Sequence, residues 1–215
     1  MKYYPVYLDI TNKRCVIVGG GDVAERKAER LLDFGARVTV IGKTLTPLLE
    51  TMKREGRIEH IHADYDDALI GDAFMLIGAT DRDDINARIS QDGKRKGILV
   101  NIVDDPVKCD FILPSIVQQG DLSIAISTGG KSPTLAKKLR EDLENLYGPE
   151  YQTLLKVLGK LREKMVVRGR SSDENKQRFD AVIDSDILQH IKNKNWEQVK
   201  KIIHEIAGVE IEVDG

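Results

Sequence analysis

Three consecutive glycines, Gly19-Gly20-Gly21, stand between an apolar run and a helical pattern, and they restrict the fold more than any other feature of the chain. The preceding CVIV reads as a buried strand. The following DVAERKAERLLDFG sets Ala24, Ala28, Leu31 and Leu32 at helical spacing and ends at Gly35, a predicted C-cap. Gly19 through Ala24, with Asp22 and Val23 between, fits G-x-G-x-x-A. Gly19 permits a tight strand-to-helix turn, Gly21 opens the backbone to close approach, and Ala24 lets the helix lie against the strand. The N–H groups and partial positive charge at such a helix start suit a pyrophosphate. The plain alternative is a glycine-rich turn in an empty domain of the same shape.

The surrounding pattern supplies the context this turn needs. RVTVIG is a second strand, Thr46-Pro47 opens a helix ending near Gly56, and IEHIHAD alternates as a third strand. AFMLIGAT is a fourth strand, DDINARISQDGKRKG a charged helix over one sheet face, and ILVNIVDDP ends a fifth strand. Strand and helix alternating at this pace predict an α/β chain with an N-terminal Rossmann-like parallel sheet. After Pro106 the rhythm changes. FILPSIVQQGDLSIAIST reads as two antiparallel strands turning near Gly120-Asp121, Ser132-Pro133 starts a long helix, and the rest is helical with a turn at Gly169–Ser172. The predicted divisions are 1–113 for the Rossmann domain, 114–147 for a strand–helix region and 148–215 for a C-terminal helical domain.

Ligands of open α/β sheets lie beyond the carboxyl ends of the strands, so residues there are the site candidates. After the second strand the usual acidic reader of a ribose is replaced by Gly42 and Lys43. Lys43 could favour a 2′-phosphate, or Lys43 and Thr44 could meet the ribose through backbone groups; NAD and NADP stay open on these residues. Thr80, after Gly78 and Ala79, is expected on the nucleotide side. Asn101 and Asp104 are expected to face a substrate, with Asp104 as the proton-accepting carboxylate; the alternative makes Asp104 and Asp105 a simple turn before Pro106. A second candidate is Ser127-Thr128-Gly129-Gly130-Lys131-Ser132-Pro133, where hydroxyls and free backbone precede a helix start with Lys131, Lys137 and Lys138 nearby and suit an anionic substrate; the alternative is a capped helix start with solvated lysines.

Composition excludes several other classes. Lys and Arg total 33 against 35 Asp and Glu, a net charge of −2, so no global field recruits nucleic acid or an anionic membrane. No apolar run approaches the roughly 18 residues of a membrane span, and MKYYPVYLDI lacks the layout of a secretory signal. With two cysteines, Cys15 and Cys109, and His60, His62, His190 and His204 unclustered, no metal site is expected and the cytoplasm is the default compartment.

VGGGDVAERKA, NIVDDP, FILPS and ISTGGKSPTLAKKLRE, in this order, resemble the precorrin-2 dehydrogenase/sirohydrochlorin ferrochelatase family, whose module also forms the N-terminal half of siroheme synthases. The resemblance covers most of residues 1–145. It implies NAD-dependent oxidation of precorrin-2 to sirohydrochlorin, with Fe²⁺ insertion as a further activity of many members. It also implies a homodimer whose dimerisation region is 114–147. The family's shared aspartate falls on Asp104 and its nucleotide contacts on Asp22-Val23 and Lys43-Thr44. A family serine falls on Thr128, which keeps the hydroxyl. Two rivals remain at this stage: a non-catalytic NAD-sensing module, and a chelatase without dehydrogenase activity.

Overall fold

The computed structural model describes residues 2–166 and 172–213. Most of the expected Gly169–Ser172 turn lies outside the described residues. The chain divides into two compact units, Met1–Leu113 and Pro114–Gly215, each treated by itself.

In the first unit, β1 (Arg14–Val18), β2 (Arg37–Ile41), β3 (Ile58–Ile61), β4 (Met75–Gly78) and β5 (Leu99–Ile102) form one parallel sheet in the order β3-β2-β1-β4-β5. Four of the five residues of β1 and of β2 are fully buried, as strands covered on both faces require. One face takes Cys15, Ile17, Val38 and Val40 against Ala24, Ala28 and Leu31 of α1 (Asp22–Asp33) and Leu49 and Met52 of α2 (Pro47–Arg54). The other takes Val16, Val18, Leu76 and Val100 against Ile89 of α3 (Asp83–Arg95).

Helix ends follow from local chemistry. α1 closes in a Schellman motif: Gly35 at φ +74° donates to Leu32 O at 2.9 Å and Ala36 donates to Leu31 O at 3.1 Å. The cap residue is therefore Phe34, and the glycine expected as the C-cap stands one place beyond it. Thr46 caps α2, its Oγ1 accepting from Leu49 N at 3.3 Å, with Pro47 at the first position.

Register places the site. Val18 pairs with Ile41 on one side and Gly78 on the other, and Gly78 pairs with Ile102. The residues that follow (Gly19, Gly42, Ala79 and Val103) consequently leave the sheet at one level, at the point where strand order reverses between β1 and β4.

In the second unit, β6 (Ser115–Gln119) and β7 (Leu122–Ile126) form the antiparallel pair, turning at Gly120 with φ +59°. α4 (Pro133–Leu146) packs on that pair. α5 (Glu150–Val166), α6 (Ser172–Ile183), α7 (Ile187–Lys192) and α8 (Trp196–Ala207) share a separate core with the extended segment 209–213, centred on Leu161, Val182, Ile187 and Ile203.

Candidate cofactor and substrate site

The glycine turn is shaped by three different demands. Gly19 sits at φ +119°, in a region side chains avoid, and a Cβ there would fall inside 3.0 Å of Ala79 O. A Cβ on Gly20 would likewise strike Thr44 O. Gly21 differs: its φ is −87°, and an added Cβ would meet nothing within 4 Å. The first two glycines thus serve the protein's own packing, whereas the third faces open space.

That space lies before the start of α1, where Gly21 is the N-cap and no side chain caps the first amides of Asp22 and Val23. Open room above a glycine and an uncapped helix start fit the pyrophosphate of a dinucleotide, so Gly21, Asp22 and Val23 would hold it. Neighbouring segments are tied to the turn. Gly19 N donates to Ile41 O at 2.8 Å and Thr46 N to Gly20 O at 3.0 Å, while the Thr46 hydroxyl also donates to Glu25 of α1. The loop carrying Lys43 and Thr44 is therefore fastened directly to the glycines.

Lys43 is occupied. Its Nζ lies 2.7 Å from Asp64 Oδ2, an acid supplied by the segment after β3. Thr80 is also engaged: its hydroxyl is 2.8 Å from Asn86 Oδ1, and Asn86 Nδ2 donates to Thr80 O at 2.9 Å. This bracket fixes the Ala79-Thr80 backbone that packs on Gly19.

At the end of β5 the chain turns sharply. Asp105 N donates to Ile102 O at 3.3 Å, closing a turn whose third residue, Asp104, has φ +60°. A positive φ at that position is normally given to glycine or asparagine. The two aspartates then part company. Asp105 pairs with Lys108 at 2.7 Å and accepts from Val107 N at 3.2 Å; the bond to Lys108, foremost, holds its carboxyl below the usual range. Asp104 is exposed, and its carboxylate makes no hydrogen bond or ion pair among the described residues. Lys27 of α1 is half-buried nearby: burial lowers its pKa, as does Arg26, while the charge of Asp104 acts the other way. Asn101 is buried, its Nδ2 donating to Phe111 O at 3.0 Å.

Thr128, Gly129 and Lys131 belong to the second unit. Thr128 Oγ1 lies 3.1 Å from both Ser132 O and Ser132 N, bracing the loop before α4, and Ser132 Oγ accepts from Leu135 N at 3.2 Å. Gly129 and Gly130, at φ +63° and +81°, face open space. Lys137 and Lys138 pair along α4 with Glu141 and Asp142, whereas Lys131 is exposed and in no ion pair among the described residues. No group of three or more His, Cys, Asp or Glu among the described residues could hold a metal ion. No helix among them is long and apolar enough to cross a membrane.

Sequence reading missed Asp64, Glu25 and Lys27. Lys27 alone left a trace, at the shoulder of the Ala24–Ala28–Leu31 stripe, where a cation is half-covered.

A parallel sheet with an uncapped, glycine-lined helix start at its switch point defines the first unit as a dinucleotide-binding Rossmann module. The chain belongs to the family described as putative NAD(P)-binding, which matches residues 6–115. A second profile, the sirohaem biosynthesis protein central segment, matches residues 119–146. Siroheme synthase 1 of Aeromonas salmonicida is 39% identical over 188 residues, covering 87% of this chain and 40% of the relative. Siroheme synthase 2 of Yersinia pseudotuberculosis is 34% identical over 207 residues, covering 96% of this chain and 44% of the relative. The chain thus spans about two-fifths of the length of these relatives. The solved structure of SirC, a precorrin-2 dehydrogenase, superposes with a TM-score of 0.75 at 24% identity, covering 93% of this chain and all of that one. The resemblance read from the four motifs therefore stands.

Proposed function

We propose that this chain is an NAD-dependent dehydrogenase that oxidises precorrin-2 to sirohydrochlorin. The observation that carries this reading is the conjunction, within one unit and at the same edge of one sheet, of an open dinucleotide cradle at Gly21 after β1 and, after β5 with β4 between them, the Asp104 carboxylate, which has no hydrogen bond or ion pair among the described residues. The printed names of the relatives, siroheme synthase and precorrin-2 dehydrogenase, support the substrate.

When bound, NAD supplies the hydride acceptor. Gly21, Asp22 and Val23 hold its pyrophosphate with backbone amides, Lys43 and Thr44 border the ribose, and the Gly19–Thr80 contact walls the nucleotide side. Loss of a hydride from a carbon that becomes part of a conjugated system leaves one proton to remove. Asp104 takes it, because its carboxylate is exposed and makes no hydrogen bond or ion pair among the described residues, whereas Asp105 is spent on Lys108. Asn101 shapes the substrate wall by fixing the 109–111 segment. Within the second unit, Thr128, Gly129 and Lys131 form a loop of hydroxyl, open backbone and exposed cation that suits the carboxylates of an anionic substrate.

The protein acts in the cytoplasm as a homodimer, with 114–147 as the pairing region and 148–215 as its helical domain. Fe²⁺ insertion into sirohydrochlorin is a second activity of the same site, in which Asp104 accepts a proton from one pyrrole nitrogen, the other is released to solvent, and the macrocycle supplies the metal's nitrogens. The test uses purified protein, precorrin-2 and NAD, read at the NADH absorbance band. Turnover by the wild type, lost in Asp104→Asn with NAD affinity unchanged, is the expected result. A wild type that binds NAD but gives no NADH from precorrin-2 overturns it and favours a sensing module; one that only metallates sirohydrochlorin is a chelatase alone.

A further inference from the structure

An aspartate at φ +60° needs something to keep it there. A non-glycine residue in that region costs about 1 kcal/mol or more and persists where the surroundings enforce it. The turn over Ile102–Asp105 is closed by one backbone bond, at 3.3 Å, which is long for an N–H donor. β5 is also an edge strand, so the outward N–H and C=O of Ile102 find no partner in the sheet. Left alone, that strand end would fray, and Asp104 would move with it.

Cys109 occupies this gap. The chain leaves the turn, passes Pro106, and returns along the open edge of β5, where Asp110 N donates to Val100 O at 2.9 Å and Asp110 Oδ2 accepts from Val100 N at 3.1 Å. The Cys109 thiol is buried at the head of that returning segment, 7% exposed. Its Sγ accepts from Ile102 N at 3.1 Å. It also stands 3.2 Å from Ile102 O and 3.1 Å from Asp105 O, so its single S–H is shared between the first and last carbonyls of the turn. Asn101 Nδ2 approaches the same sulfur at 3.6 Å. One side chain thus grips both ends of the turn whose third residue is Asp104.

We propose that Cys109 is a positioning residue for Asp104. The thiol acts as a clamp across Ile102 and Asp105 that holds the intervening aspartate in its left-handed conformation with the carboxylate turned out. A thiol suits the task because its S–H can donate to a carbonyl of the turn while its sulfur accepts from the Ile102 amide. Burial raises the thiol's pKa, which keeps the S–H donor in place. Cys109 does not touch substrate; it acts through the turn.

The inference rests on Asp104 being the proton acceptor, and the experiment separates the two ideas. Cys109→Ala and Cys109→Ser are compared with wild type by amide hydrogen exchange, NAD titration, and kcat and KM for precorrin-2. Exchange across 102–109 should accelerate at least tenfold in Cys109→Ala with α1 and β1 unchanged, and this readout holds whatever the substrate is. kcat should fall about tenfold with NAD affinity preserved, and Cys109→Ser should recover a substantial part of both. Unchanged exchange in Cys109→Ala overturns the clamp. Faster exchange with wild-type kcat overturns the positioning role. Loss of NAD affinity in parallel with kcat reveals a merely structural residue. Faster exchange in a protein whose wild type never oxidises precorrin-2 leaves the clamp intact and removes only the dehydrogenase reading.

Discussion

Gly19 lies so close to Ala79 that a Cβ on the glycine would fall inside 3.0 Å of the alanine's carbonyl oxygen, while two residues on, Gly21 faces empty space. These glycines must therefore fail differently. Gly19→Ala meets backbone and a forbidden φ, and should cost about 2–4 kcal/mol of stability. Gly21→Ala adopts a φ of −87° without strain, so its melting temperature should match wild type. Its methyl group would occupy the space proposed for the pyrophosphate, and NAD affinity should fall roughly tenfold or more. Thermal melts beside calorimetric NAD titrations decide the matter. A Gly21→Ala protein that binds NAD normally would place the cofactor elsewhere.

Thr46 joins two jobs. Its hydroxyl caps α2 at Leu49 N and donates to Glu25 of α1, tying the loop after β2 to the glycine turn. Thr46→Val should lower stability by about 1–2 kcal/mol through the lost cap. It should also weaken NAD binding, because Lys43 and Thr44 ride on that loop. Thr46→Ser keeps the oxygen and should restore both. Denaturant melts and NAD titrations of the pair provide the check, and a Val variant equal to the Ser variant would contradict it.

What could be read from the sequence was whatever depends on neighbours along the chain. The glycine turn, the Thr46 and Ser132 caps and the hairpin at Gly120 are set within a few residues, and the parallel sense of the strands follows from the crossovers between them. The missed features join distant segments. Asp64 meets Lys43 from another strand's end, Glu25 reaches Thr46 across 21 positions, and Cys109 folds back on Ile102. Each is one polar side chain choosing a partner after the sheet has formed, which no periodicity encodes. The left-handed φ of Asp104 belongs here too, since local preference argues against it.

Cys15 carries a pH dependence whose sign can be worked out. It is fully buried in β1, and burial pushes its thiol from 9.0 up to about 11. The folded state therefore holds its proton above the pH at which the unfolded chain releases it. Stability from this group is complete below pH 9 and declines between about 9 and 11, where the shift corresponds to roughly 3 kcal/mol. Urea midpoints measured at several values across that window should fall in wild type and fall less in Cys15→Val, which keeps the volume without the proton. Parallel curves would show that Cys15 does not ionise on unfolding in this range.

The Lys43–Asp64 pair bears on which dinucleotide is used. By itself Lys43, at the end of β2, would attract the 2′-phosphate of NADP. With Asp64 at 2.7 Å its charge is largely answered, and a phosphate entering there would also meet the carboxylate. The acid that usually follows the second strand is thereby supplied from the third, and NAD should bind more tightly than NADP. Both side chains are largely exposed, so the effect is modest and weakens with salt. Asp64→Asn releases Lys43 and removes the repulsion, and should shift the ratio of affinities toward NADP by about three- to tenfold at low ionic strength. Lys43→Met should lower NADP affinity in the Asp64→Asn background while leaving NAD nearly unaffected. Paired titrations with both dinucleotides at two salt concentrations measure this, and an unchanged ratio in Asp64→Asn would mean that the ribose lies away from this pair.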